Sequence, residues 1–423
     1  MAQFSAKERL VARLLSSTPM LKKWIKKSYI RINSIIYHKN YKSQILIDSI
    51  PVINLIAPIN PDNETFFGYY DKSPENDDGM IIYNESQRLT CKEPSPIIPM
   101  YISAVKREDI INISSTLCYN WQQGCRAQWI NSNKICYNYF DGEGYKCVVH
   151  DIKNKDNNRV YKYPVQDSFG ESYFLSINYC RVMRLRPDYG YRNLPELNDE
   201  ELKCVDNDGV IKIDYDSGDS QLVVSFSELI KISPKETFED AFHKVNHVMI
   251  SPDGKKFIFI HRWYEKGRRH DRLLLSDFGS LKILSDDDMV SHMCWINDSE
   301  LFGYLRHDGI DGFYFIDIDD MRFTPCDALN VLKNGDGHPS CHGEWIVVDT
   351  YPDKSRMQHL YLYNRQTSEV HHLLEVYQSV KFYSESRCDL HPRFSSDGSR
   401  IYFDTVFTGK RRLAYIDISS IIH

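Results

Sequence analysis

From residue 50 onward the chain consists of short apolar runs separated by turn residues, the pattern of strands in an all-β sandwich, barrel or propeller. Seven segments share one grammar: "FGYYDKSPENDDGMIIYNE", "GCRAQWINSNKICYNYFD", "LSINYCRVMRLRPDYGY", "NHVMISPDGKKFIFIHRW", "SHMCWINDSELFGYLRHDG", "GHPSCHGEWIVVDTYPD" and "DLHPRFSSDGSRIYFDT". Most open on a polar residue, run through a short strand, turn at S-P-D-G, N-S-N, N-D-S or S-S-D-G, and continue as an apolar strand. Several add a third strand such as "LLLSD", "FYFIDID" or "LAYIDI". Three strands and a linker per copy predict the blades of a seven-bladed β-propeller over residues 49–423. The third segment is the weakest member, because it lacks the turn signature.

The first forty-eight residues follow a different pattern. Leu10, Leu14, Leu21, Trp24, Ile25 and Ile32 fall at near-helical intervals with basic residues between them, and Pro19 divides the run. Residues 1–48 therefore read as a short basic helical extension. It serves either as a cap packed on the propeller or as an amphipathic segment at the inner membrane surface.

The polar residue that opens each copy bears on function. The equivalent positions are Tyr70, Arg126, Asn178, His247, His292, His338 and His391. In a propeller the innermost strand of each blade lines the central channel, so equivalent residues gather on one rim. A histidine there can hydrogen-bond within its own blade and do nothing more. Four successive ones, with His342 and Asp389 close by, favour a shared metal or acid/base site, since imidazole is a common ligand and titrates near neutrality. Cations follow the same pattern. "DKSP" supplies Lys72, "WQQGCR" supplies Arg126, "HRWYEKGRRHDR" supplies Arg262, Arg269 and Arg272, and "SRCDLHPR" supplies Arg387. Arginine forks match carboxylates, and Tyr69, Tyr70, Trp121 and Trp263 offer apolar platforms suited to sugar rings.

Composition narrows the classes. Net charge is −6, yet residues 1–45 hold ten Lys or Arg and one acid, so the body is acidic. An acidic body argues against nucleic acid as the ligand, which demands dense positive charge. Eleven cysteines without C-x-x-C pairs suggest neither a zinc ribbon nor a disulfide framework. With no secretory signal and no long apolar run, a cytoplasmic location is expected. Walker, G-x-G-x-x-G, G-x-S-x-G and H-E-x-x-H motifs are absent.

The stretch "HVMISPDGKKFIFIHRWYEKGRRHDRLLL", followed by "SHMCWINDSELFGYL", "GHPSCHGEW" and "LHPRFSSDG", resembles the blades of oligogalacturonate lyase over roughly residues 240–418. "FFGYYDKSP", "YNWQQGCR" and "LRPDYGYRN" are similar to segments of propellers encoded in bacterial capsule and O-antigen clusters. The first resemblance implies a manganese-dependent lyase that cleaves uronate-containing glycans by β-elimination. It implies His292 as base and Arg272 as a substrate-binding arginine, and β-elimination further needs a donor to the leaving oxygen, for which Tyr70 or water is the candidate. It matches His338 and His391 to the first and last metal histidines; Asp389 and Ser386 stand where that family has a histidine and a glutamine ligand, and His342 and Asp389 are the residues that restore a set suited to manganese. Lys72, Arg126, His247, Arg262 and Arg387 are the expected contacts to an acidic oligosaccharide or polysaccharide. The second resemblance implies an alternative, a noncatalytic glycan- or protein-binding propeller in surface-polysaccharide assembly.

Overall fold

The computed structural model describes residues 19–422. Seven antiparallel sheets are arranged as a seven-bladed β-propeller, with consecutive blades in contact around a ring. In chain order the innermost strands are Glu64–Phe66, Gln128–Trp129, Asp167–Phe169, Phe242–Ile250, Val290–Trp295, Pro339–His342 and Arg393–Phe394. The tight turns anticipated at S-P-D-G and S-S-D-G join inner to second strands in blades 4 and 7.

The apolar core lies between blades rather than at a single centre. Blades 4 and 5 meet through Met249, Ile258 and Leu273 against Met293, Trp295 and Leu301, and blades 6 and 7 through Val347, Leu360 and Leu374 against Phe394, Ile401 and Phe403. Each fully buried side chain of this size contributes about 1.5–3 kcal/mol, so every blade is stabilised by its neighbours.

The ring closes through both ends of the chain. Asn54–Leu55 pairs with Arg412–Asp417 and completes the seventh blade from the N-terminal side. Asp404 of that blade accepts the backbone N–H groups of Phe67 and Gly68. Gly68 has φ +117°, and a Cβ there would stand 2.7 Å from the Gln123 carbonyl carbon, so the crossing requires glycine. Ser43–Ile45 adds a fifth, outer strand to blade 6, so the sheet includes residues assigned above to the extension. A helix spans Pro19–Ile36, and the segment before it, with Leu10 and Leu14, lies outside the described residues. All eleven cysteines are free.

Candidate functional site: a histidine ring below a cation-lined cavity

A local backbone device turns the recurring residues inward. In blade 4 the strand register breaks between Asn246 and Met249, and in blade 5 between Val290 and Met293, so His247 and His292 sit in bulges. Arg126, His247 and His391 have φ of +59°, +52° and +47°. Left-handed backbone at such residues costs about 1–3 kcal/mol and persists where the surroundings over-determine it. Asn178 departs from the pattern. Blade 3 begins with Asp167–Phe169, and the Asn178 side chain caps the helix Tyr179–Leu185 by accepting from Cys180 and Arg181 N–H. Asn178 therefore starts a helix and does not stand on the rim.

The four histidines converge. Ring centroids are 5.3 Å apart for His247–His292, 4.0 Å for His292–His338 and 4.3 Å for His338–His391. Tyr69 and Tyr70 fill the space among them, with Tyr69 hydrogen-bonded to His247 Nδ1. The Tyr70 hydroxyl donates to Met293 O at 3.0 Å and accepts Met293 N–H at 3.1 Å. Contrary to the sequence expectation, Tyr70 is a strut across the channel whose proton is committed to backbone.

Each imidazole is fixed by its Nδ1. That of His338 faces Asp349 Oδ1 at 2.9 Å, that of His391 donates to Gly68 O at 2.8 Å, and that of His292 lies 3.2 Å from Asp336 Oδ1. The Nε2 atoms of His338 and His391 are buried and have no hydrogen-bond partner among the described residues. Buried polar atoms left unpartnered in this way cost free energy unless something occupies them. With Asp389, these two histidines bring three ligand atoms within 4.8 Å of one another. Imidazoles oriented by a carboxylate or carbonyl plus one carboxylate fit a divalent transition metal such as manganese. His342 does not join them. It lies four residues beyond His338, about 13 Å along the strand, and packs on Phe394 and Gly398.

Protonation follows burial and charge. Burial lowers the His338 pKa, but the Asp349 carboxylate more than reverses this and holds it above the ordinary value. Burial and the neighbouring His338 charge depress His292 to about 4 and His391 well below its usual range. Burial and then the Arg262 charge lower His247 in the same way.

Above the ring lies a cavity of about 430 Å³. His247, His292, Asp389, Arg262 and Arg387 line it together with Arg186, Arg269, Arg356 and Tyr351. Arg387 spans Asp389 at 2.7 Å and Asp188 at 2.6 Å. Three expected contacts lie elsewhere. Arg126 is paired with Asp71 through bonds of 3.0 and 2.7 Å, and Lys72 with Asp167 at 2.5 Å, so both cations are neutralised within the channel wall. Arg272 occupies the opposite face of its strand from Asp271 and hydrogen-bonds His261 Nδ1 at 3.1 Å and the Leu229 carbonyl at the end of the helix Phe226–Ile232. Its guanidinium is a structural clamp, and Arg262, one strand over and paired with Asp271, takes the cavity side.

Some participants escaped the sequence reading. Asp336 and Asp349 orient His292 and His338, and the one signal for Asp336 was the run "DGH" ending at His338. Lys26, Tyr29, Ile30 and Asn33, spaced on one face of the helix Pro19–Ile36, line the same cavity from above.

No family model matches this chain, and no curated protein does. Among solved structures, the fold resembles oligogalacturonate lyase of Vibrio parahaemolyticus, with 13% identity, 89% of this chain and 96% of that one covered, and a TM-score of 0.57. It likewise resembles an oligogalacturonate lyase in complex with manganese, with 13% identity, 89% and 98% coverage, and a TM-score of 0.54. At this identity the likeness establishes the seven-bladed propeller, and function has to be argued from the site.

Proposed function

We propose that this propeller is a divalent-metal-dependent polysaccharide lyase that cleaves an acidic, uronate-containing oligosaccharide by β-elimination. The observation that carries the reading is the pair of open, buried Nε2 atoms on His338 and His391 beside Asp389, whose own side chain lines the arginine-rich cavity. His338, Asp389 and His391 would hold a divalent cation, which would supply positive charge to neutralise a substrate carboxylate and so acidify the C5 proton.

The chain's own groups fit the remaining tasks. Arg356, held by Gln378, lines the cavity and is the guanidinium suited to a substrate carboxylate, while Arg262 and Arg387 line it already engaged by Asp271 and by Asp389 and Asp188. His292, with Nδ1 engaged by Asp336 and Ser291, keeps Nε2 as its basic nitrogen, and its depressed pKa holds it unprotonated at neutral pH. Nε2 takes the C5 proton, the C–H electrons form the C4–C5 double bond, and the C4–O4 bond breaks. Tyr351 lines the cavity, packs against His338 at 5.6 Å, and has its pKa raised by burial. It is the phenol suited to protonate O4, in place of Tyr70.

The test is purified protein with Mn²⁺ and a panel of uronate oligosaccharides, monitored by absorbance of the unsaturated product. Product formation abolished by chelation and by His292→Ala supports the reading. Silence across the panel, with metal bound, overturns it and favours the alternative of a noncatalytic glycan-binding propeller. One observation supports that alternative: Ser386, at the implied glutamine position, bonds its hydroxyl to the Tyr383 carbonyl at 2.9 Å.

A further inference from the structure

The helix Pro19–Ile36 roofs the cavity with one face, and among the described residues nothing covers the other. Lys26, Tyr29, Ile30 and Asn33 point to the cavity side. On the outer side and flank stand Trp24, Ile32, Ile35 and Ile36, with 71%, 57%, 76% and 67% of their surface exposed. None of residues 24–36 is fully buried, so the helix sits lightly on the propeller. Its tether follows directly: Lys39 is ion-paired to Glu375 at 2.7 Å, and Ser43–Ile45 joins blade 6. An 18-residue helix with this much bare apolar surface gains by covering it.

Charge identifies the cover. The helix sequence holds Lys22, Lys23, Lys26, Lys27 and Arg31 and no acid. Lys27 and Arg31 are exposed on the outer side, flanking Trp24 and Ile35. A cationic face carrying Trp and Ile is complementary to anionic phospholipid headgroups over acyl chains, whereas the acidic propeller body is repelled by such a surface. Among the described residues no helix is long and apolar enough to span a membrane, so the contact is one of lying on it.

We propose that the outer face of this helix docks on an anionic phospholipid membrane, which sets the cavity about one helix diameter, ~10 Å, beneath the headgroups. The inference rests on the helix and not on the lyase reading, and its test uses no substrate. Full-length protein is sedimented with vesicles of phosphatidylcholine alone or mixed with phosphatidylglycerol. Trp24 is the exposed one of six tryptophans, so its emission reports insertion directly.

Binding is expected only with phosphatidylglycerol, weakened by salt and accompanied by a blue shift. The double variant Lys27→Gln/Arg31→Gln should bind roughly tenfold or more weakly, and Trp24→Ser/Ile35→Ser should lose binding and blue shift while melting like the parent. Failure of the parent to sediment at low salt overturns the proposal. So does undiminished binding by Trp24→Ser/Ile35→Ser, which would assign the contact to other residues. Saturable binding of an acidic protein without vesicle binding overturns it in favour of a protein partner.

Discussion

Two arcs of the ring use the same blade position for opposite ends. In blades 4 to 7 it holds His247, His292, His338 and His391, whose Nδ1 atoms are engaged and two of whose Nε2 atoms are left open. In blades 1 to 3 that position and its neighbours hold residues that neutralise one another: Arg126 with Asp71, and Lys72 with Asp167, which also accepts Ile250 N–H. The difference is whether an acid can reach the charge. A cation that meets a carboxylate within the wall becomes part of the scaffold. An imidazole held by one nitrogen keeps the other for chemistry. Position in the repeat therefore places a residue on the axis, and the second partner decides its role.

The comparison is broken most severely on the scaffold side. Asp71→Ala leaves the buried Arg126 guanidinium unpaired, and removing one partner of a buried pair costs about 3–5 kcal/mol. Urea unfolding should show that loss, while the folded fraction still binds Mn²⁺ with parental affinity. On the histidine side the largest effect is on pH. The His292 pKa falls from 6.5 in the free side chain to about 4 on folding, so its contribution is present above pH 6.5 and lost as pH drops toward 4. His247 and His391 act in the same sense, and His338, whose pKa is raised, in the opposite one. The metal-free protein should lose about 2–3 kcal/mol over that window through His292, and His292→Gln should flatten the profile by that amount.

A subtler change sharpens the metal side. Asp349→Asn keeps the shape but removes the charge that orients His338 and also holds His391 N–H at 3.0 Å. Substitutions of this kind typically lower metal affinity about 10–100-fold. Calorimetry with Mn²⁺ on the folded variant should show that drop, alongside a lowered melting temperature, because the amide nitrogen cannot accept one of the backbone N–H groups that Asp349 holds. Parental affinity would show that His338 and His391 do not serve as ligands.

Legibility in the sequence followed repetition. The turn motifs recur, so the blades could be counted, and the histidines recur at one point of the copy, so their convergence could be anticipated. What does not recur stayed hidden. The closing strand Asn54–Leu55 is two residues long and has no pattern of its own. Asp336, Arg186 and Tyr351 lie in linkers between strands, where no register assigns a direction. Arg272 and Arg262 illustrate a finer limit. Both flank the same hairpin, but side chains alternate along a strand, and one position decides between a cavity and a helix end. His342 shows the reverse limit, since closeness in sequence becomes distance along an extended strand.

The mildest test concerns the two tyrosines at the junction of the arcs. Tyr70 belongs to the scaffold by its bonds to Met293 and to the site by its contacts with His292, His338 and His391. If its place is structural, Tyr70→Phe removes one hydroxyl, leaves the Met293 N–H and carbonyl short of a partner, and costs about 1–2 kcal/mol in thermal unfolding. The aromatic ring remains to space the histidines, so Mn²⁺ affinity and any turnover per folded molecule should stay within about twofold of the parent, a difference of roughly 0.4 kcal/mol. Tyr351→Phe removes a cavity hydroxyl and should do the reverse, leaving stability near the parent and lowering turnover. A Tyr70→Phe variant of parental stability with reduced turnover would return the donor role to Tyr70, and would mean that its bonds to blade 5 open when substrate enters.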